Sequence, residues 1–241
     1  MDAQIDRLMS DAAGDESAQT GRPAPREALD REEQLIRDSV LRMGSLVEAA
    51  IRQASRALTT HDTALAMDVI TGDAIINEAQ RGISRLIVVT IATQQPVARD
   101  LRYLLTLDHV TYELERMGDH ASSVAKQVIK LAPEAPLEGY VHLPEMAERG
   151  ALLVHGVLRA LVDADAVEAR EIATQDDEID RLYHATFDDV VELMRQDPAN
   201  VERGTRIIIA SHYLERIGDR ATNVAEDVVY LVTGDVEDLN P

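Results

Sequence analysis

One pattern occurs twice in this chain, one hundred residues apart, and that duplication restricts the possible folds more than any other feature. Residues 111–125 read TYELERMGDHASSVA and residues 211–225 read SHYLERIGDRATNVA, with eight of the fifteen positions identical. Both copies sit in apolar patterns of helical period, so Glu115 and Asp119, and Glu215 and Asp219, lie one turn apart on one helix face. Like charges at that spacing cost an isolated helix roughly 0.2–0.5 kcal/mol. A glycine in the same turn, Gly118 or Gly218, costs about another 1 kcal/mol relative to alanine. A locally unfavourable arrangement repeated in register points to a cation held at each copy.

The rest of the chain follows the same duplication. Leu35, Ile36, Val40, Met43, Val47, Ile51 and Leu58 recur at steps of three and four and predict a first helix from Glu32 to about Thr59. Asp62 reads as the N-cap of a second helix running to about Thr93, and Pro96 as a first-turn proline of a third that ends before Pro133. Three prolines and a glycine punctuate the linker at 132–144. Beyond it the plan repeats: Leu152–Val162, then Asp165 as cap of a fifth helix to about Gln196, then Asp197-Pro198 opening a sixth to about Val232. Arg56, Ala57, Leu58, Asp62 and Asp73 match Arg159, Ala160, Leu161, Asp165 and Asp176 with a shift of 103, against 100 for the third helix. The second copy is therefore three residues shorter, most simply at its last connection. These observations predict an all-α fold of two tandem homologous three-helix bundles with six long helices. The segments are 1–31 (N-terminal tail), 32–131 (first bundle), 132–144 (linker), 145–233 (second bundle) and 234–241 (acidic C-terminal tail).

Composition narrows the function. Lys and Arg total 24 against 44 Asp and Glu, a formal charge of −20 that repels a polyanion and argues against nucleic acid as a partner. The absence of cysteine removes disulfides and thiolate metal sites and fits a reducing cytoplasm. The apolar runs are too short to span a bilayer, and the N-terminus lacks the pattern of a secretory signal.

The candidate chemistry is acidic. If each second helix packs antiparallel to its third, Asp176 and Asp180 face Glu215 and Asp219, while Asp73 and Asn77 face Glu115 and Asp119. Oxygen-only sets suit hard cations such as Mg²⁺, Mn²⁺, Ca²⁺ or iron better than zinc or copper. His212, Asn223 and Glu226 are placed to extend the second set, which is expected to bind more firmly. The alternative for each acidic stripe is a solvated face. Arg116 and Arg216 are read as surface or interface residues pointing away from the acids, His109 and His120 as surface residues rather than further ligands, and His155 as partly buried. Neither a nucleophile–base triad, nor a phosphate-cradling glycine loop, nor the Glu-x-x-His pairs of a di-iron bundle is present at these positions.

LERMGDHASSVA and LERIGDRATNVA, with QQPVARDLRYLLTL at 94–107, resemble the duplicated signature of the PhoU family of bacterial phosphate-uptake and phosphate-signalling regulators. The resemblance implies two similar three-helix bundles, each holding a metal ion or cluster. Its ligands map onto Asp73, Glu115 and Asp119, then Asp176, Asp180, Glu215 and Asp219; Asn77 departs from the acidic pattern. It leaves iron, manganese, magnesium and zinc open. It further implies a cytoplasmic, non-enzymatic negative regulator that bridges the ATPase subunit of the phosphate ABC transporter and a phosphate-sensing histidine kinase. Such a protein dimerises with its own kind and meets the membrane only through partners. Two other readings compete: a metal-assisted phosphoester hydrolase and a metal-free helical adaptor.

Overall fold

A computed structural model describes residues 25–134 and 142–240 of the chain. Their α-helices are α1 (Pro25–Thr60), α2 (Thr63–Gln94), α3 (Arg99–Leu131), α4 (Leu143–Asp163), α5 (Ala166–Ala173), α6 (Asp176–Gln196) and α7 (Val201–Thr233), with a 3-10 turn at Pro198–Asn200. The predicted duplication holds: α1–α2–α3 form one bundle and α4 to α7 the other. The second helix of the second copy is interrupted at Thr174-Gln175, where the Gln175 amide turns back to the Ile172 carbonyl at 3.0 Å. No glycine or proline marks that break; the first copy has Gly72 at the equivalent place inside an unbroken helix.

Local chemistry explains the connections. His61 and Ala164, at equivalent positions, both take the left-handed backbone with φ of 53° and 50°. The aspartate after each then caps the next helix: Asp62 accepts from the Leu65 amide, Asp165 from those of Val167 and Glu168. Asp197 caps the 3-10 turn through the Ala199 amide. The three-residue deficit does not shorten this last connection: four residues, 95–98 and 197–200, separate the second and third helices in both copies, so the difference lies in the flanking helix ends. Pro96 lies three residues outside α3, whose N-cap Ala98 carries no side-chain cap. α4 starts at Leu143, well before the predicted Leu152, since Met146, Ala147 and Ala151 continue its buried face. α1 starts at Pro25, earlier than Glu32, because Leu29 extends its buried stripe. Of the tail predicted over 1–31, residues 25–31 belong to α1 and 1–24 lie outside the described residues, as does 135–141 of the 132–144 linker. The C-terminal residues fold back: Arg170 donates from Nε and Nη2 to the two carboxylate oxygens of Glu237, and the Leu239 amide donates to Glu226.

The bundles share one apolar core. Leu114 and Leu214, Met117 and Ile217, Ala121 and Ala221, Val124 and Val224 are all at most 1% exposed, so each motif buries the same face. Each large aliphatic buried this way contributes roughly 1.5–3 kcal/mol. α3 and α7 pack antiparallel across the middle of the molecule, as α1 and α4 do, with α2 and the α5–α6 pair against the outer flanks. The seam between α3 and α7 carries a buried polar pair. Glu113 is 2% exposed and accepts from Arg220 at 3.3 Å and Asn223 at 3.2 Å. At the corresponding place across the approximate two-fold axis, His120 stacks on Tyr213 with ring centroids 5.7 Å apart.

Candidate metal centre

Antiparallel packing of each second and third helix brings the predicted acids together. In the second copy, one oxygen from each of Asp176, Asp180 and Asp219 lies within 4.8 Å of the others. Among the described residues no other group of three converges to that spacing; Asp73, Glu115 and Asp119 form none. Asn77 supplies part of the reason, since its amide donates to Asp73 Oδ2 at 3.0 Å and occupies that oxygen.

The glycine in each motif makes the approach possible. A Cβ on Gly218 would overlap Asp176 Oδ1 and crowd Ile179 at 3.2 Å. On Gly118 it would press on Ile76 at 3.1 Å and reach Asp73 Oδ1 at 3.5 Å. Close helix contact and the seating of a carboxylate are thus one arrangement, tighter in the second copy. The helix break adds to it by placing Asp176 at the first residue of α6, where the helix dipole favours negative charge.

Charges are crowded and poorly solvated. Burial, then Asp180 and Asp219, push the Asp176 carboxyl up to about 7, and burial with Asp219 does the same to Glu215, also about 7. Asp180 is raised by burial and by Asp219. In the first copy, burial and Asp119 raise Asp73 and Glu115. The same atoms are left without a hydrogen bond in both copies: Asp73 Oδ1 and Asp176 Oδ1, Glu115 Oε2 and Glu215 Oε2. A buried acceptor without a donor is uncommon and costs about 1–3 kcal/mol. Glu115 Oε2 and Glu215 Oε2 each have a nitrogen nearby that falls short of a hydrogen bond, Arg116 Nε at 3.4 Å and His212 Nδ1 at 3.2 Å. Asp73 Oδ1 and Asp176 Oδ1 lack even that among the described residues. The four carboxylate oxygens, at two equivalent places, fit a hard cation by the chemistry of their donor set.

Several neighbours differ from expectation. Arg116 and Arg216 do not point away: their guanidinium groups donate to Asp119 at 3.1 Å and Asp219 at 2.5 Å, the i,i+3 neighbours on the same helix. His212 stays beside Glu215, Nδ1 to Oε2 3.2 Å, although half of it is exposed. Asn223 and Glu226 do not extend the second set, because Asn223 turns to Glu113 and Glu226 receives the Leu239 amide. His120 is no surface residue: burial, then Arg220 and Arg216, lower it to about 4. His155 is exposed and faces Glu48 at 3.3 Å, where partial burial was predicted. His109 is exposed, with Nδ1 2.6 Å from Asp227, which raises it. The Glu113–Arg220 pair left no local signal in the sequence, since its partners stand 107 residues apart.

Comparison with known proteins agrees with this architecture. A family model described as PhoU domain matches residues 40–128 and 143–228. A phosphate-specific transport system accessory protein PhoU homolog of Clostridium acetobutylicum is 36% identical over 206 residues, 85% of this chain and 94% of that one. The Pseudomonas aeruginosa homolog of the same name is 38% identical over 200 residues, 83% of each chain. The crystal structure of PhoU from Pseudomonas aeruginosa superposes with a TM-score of 0.81 at 38% identity, covering 86% of this chain and 99% of that one. The phosphate transport system regulatory protein PhoU from Streptococcus pneumoniae gives 0.79 at 30% identity, covering 87% and 99%.

Proposed function

The chain belongs to the PhoU family, and from that premise we propose that it is a cytoplasmic accessory regulator of phosphate-specific transport that acts through protein contacts rather than catalysis. It restrains the ATPase subunit of the phosphate ABC transporter and the phosphate-sensing histidine kinase when phosphate is plentiful. Among the described residues no helix is long and apolar enough to cross a membrane, which suits attachment through those partners.

The regulator is read as metal-loaded. Asp176, Asp180, Asp219 and Glu215 would hold the firmer ion, with His212 beside them, and Asp73, Glu115 and Asp119 with Asn77 the weaker. A bound divalent or trivalent cation supplies positive charge that offsets carboxylate repulsion and ties each second helix to its third. The chain's own residues prepare the place. Gly218 leaves room for Asp176, the Thr222 hydroxyl faces Asp176 Oδ2 at 3.4 Å, and Arg216 anchors Asp219. The observation that carries this reading is the recurrence of the same unbonded carboxylate oxygens in both copies.

Elemental analysis of the dialysed protein beside a Glu115→Gln/Glu215→Gln variant tests it. Retained iron, manganese or zinc that falls at least tenfold in the variant is the expected result, together with capture of the transporter ATPase that weakens after chelation. Equal, negligible metal in both proteins would end the metal part of the reading. Unchanged phosphate uptake on deletion of the gene would end the regulatory part.

A further inference from the structure

A cavity of about 820 Å³ opens where the start of α1, the start of α3 and the ends of α4 and α7 meet. It belongs to neither acidic cluster: Arg99 and Glu115 are sixteen residues apart on α3, about 24 Å along a helix. Its α1 wall, Arg26 to Arg37, precedes the first stretch matched to the family, which begins at residue 40.

In a chain of formal charge −20, four arginines line this one space. Three carboxylates line it too, and two of them are engaged: Arg26 bonds Asp30 at 2.9 Å and Asp100 at 2.5 Å. The remaining arginines are poorly matched. Arg99 makes no hydrogen bond or close ion pair among the described residues, although its charge acts on Glu33. Arg102 reaches the Tyr230 carbonyl at 3.5 Å and lies over the Tyr230 ring, with no carboxylate partner among those residues. Arg37 approaches Asp38 only at 3.9 Å, and its Nε is buried without a hydrogen bond. On the same wall Glu33 Oε1 is a buried acceptor with no donor, and burial raises that carboxyl. The turn that delivers Arg99 is distorted: Gln95 and Ala98 both have positive φ, 50° and 47°. Backbone in such regions costs about 1–3 kcal/mol each and persists where surrounding structure holds it.

Guanidinium groups converging from two helices match the oxygens of phosphate groups, which they bind through paired N–H donors. The volume suits a ligand of several hundred daltons rather than a single inorganic ion. Glu33 asks for an N–H or O–H on the same ligand. We propose that this cavity binds a phosphorylated metabolite of nucleotide size, its phosphates held by Arg37, Arg99 and Arg102 and one hydroxyl or amino group donated to Glu33. The site is independent of the metal-bound reading above, so the two can fail separately.

Isothermal titration of the full chain, stripped of metal and kept in chelator, with ATP, ADP and AMP tests the proposal. Orthophosphate and adenosine serve as single-feature controls. Saturable binding of at least one nucleotide is expected, with Arg99→Gln/Arg102→Gln at least tenfold weaker at unchanged helicity by circular dichroism. Glu33→Gln should shift preference among the nucleotides while leaving adenosine unbound. Asp176→Asn/Asp219→Asn should bind as the parent does. No saturable binding of any nucleotide overturns the proposal, as does equal binding by the arginine variant. So would orthophosphate binding as tightly as ATP, or loss of binding in the aspartate variant.

Discussion

The two copies of the motif are built alike and charged differently. In the second, Asp176, Asp180 and Asp219 converge within 4.8 Å, and two carboxyls are driven up to about 7. In the first, Asn77 stands where the second has Asp180, and its amide donates to Asp73 at 3.0 Å. One amide for carboxylate exchange removes a charge and supplies a donor to Asp73 Oδ2, so the first site carries less repulsion, although Asp73 Oδ1 and Glu115 Oε2 stay unbonded as their second-copy counterparts do. A duplicated fold can thus hold one seat that demands a cation and another that tolerates its absence.

The largest way to break this comparison is through pH. A carboxyl raised in the folded state favours the protonated fold. Its contribution is present below the ordinary carboxylate range near 4 and is lost as pH rises through about 7 for Asp176 and Glu215. Metal-stripped protein should therefore lose on the order of 3 kcal/mol between pH 5 and pH 8 in urea melts. Asp176→Asn should flatten that slope, and Asp73→Asn should alter it less. Equal effects from the two variants would erase the difference between the sites. Exchanging the distinguishing residue comes next. Asn77→Asp should raise first-site metal affinity about tenfold, roughly 1.4 kcal/mol, in a competition titration. Asp180→Asn should lower second-site affinity by a similar factor.

The glycines give the smallest shift in stability and the sharpest contrast in content. Alanine at either position gains about 1 kcal/mol of helix propensity. Gly218→Ala must turn Asp176 away and should empty the second site, with melting changed by no more than about 1 kcal/mol on that account. Gly118→Ala needs Ile76 to yield a few tenths of an ångström and should leave first-site metal in place.

The fold was readable because a repeat confirms itself: each helix has a twin whose pattern supports it. Asp62 and Asp165 announced their caps, and the facing acids followed from antiparallel hairpins. The break at Thr174-Gln175 was unreadable because neither residue is a breaker. The pairing of Arg116 with Asp119 is within reach of i,i+3 spacing, yet its neighbour position beside Glu115 suggests a different helix face. The rest is long-range. Glu113 finds Arg220 only when the two third helices meet, and the arginine cavity exists only where four helix ends do.

The seam between α3 and α7 has a consequence for how such a chain divides. Two first copies pairing on their own would set Glu113 against His120, and two second copies would set Arg220 against Tyr213. Either combination loses the Glu113–Arg220 ion pair of this seam, in which the carboxylate is 3% exposed. The exchange of partners across the axis makes each half a poor match for itself and a good match for the other. Severed halves supplied together should therefore reassemble as a mixed pair, and the unbroken chain keeps the stoichiometry at one of each.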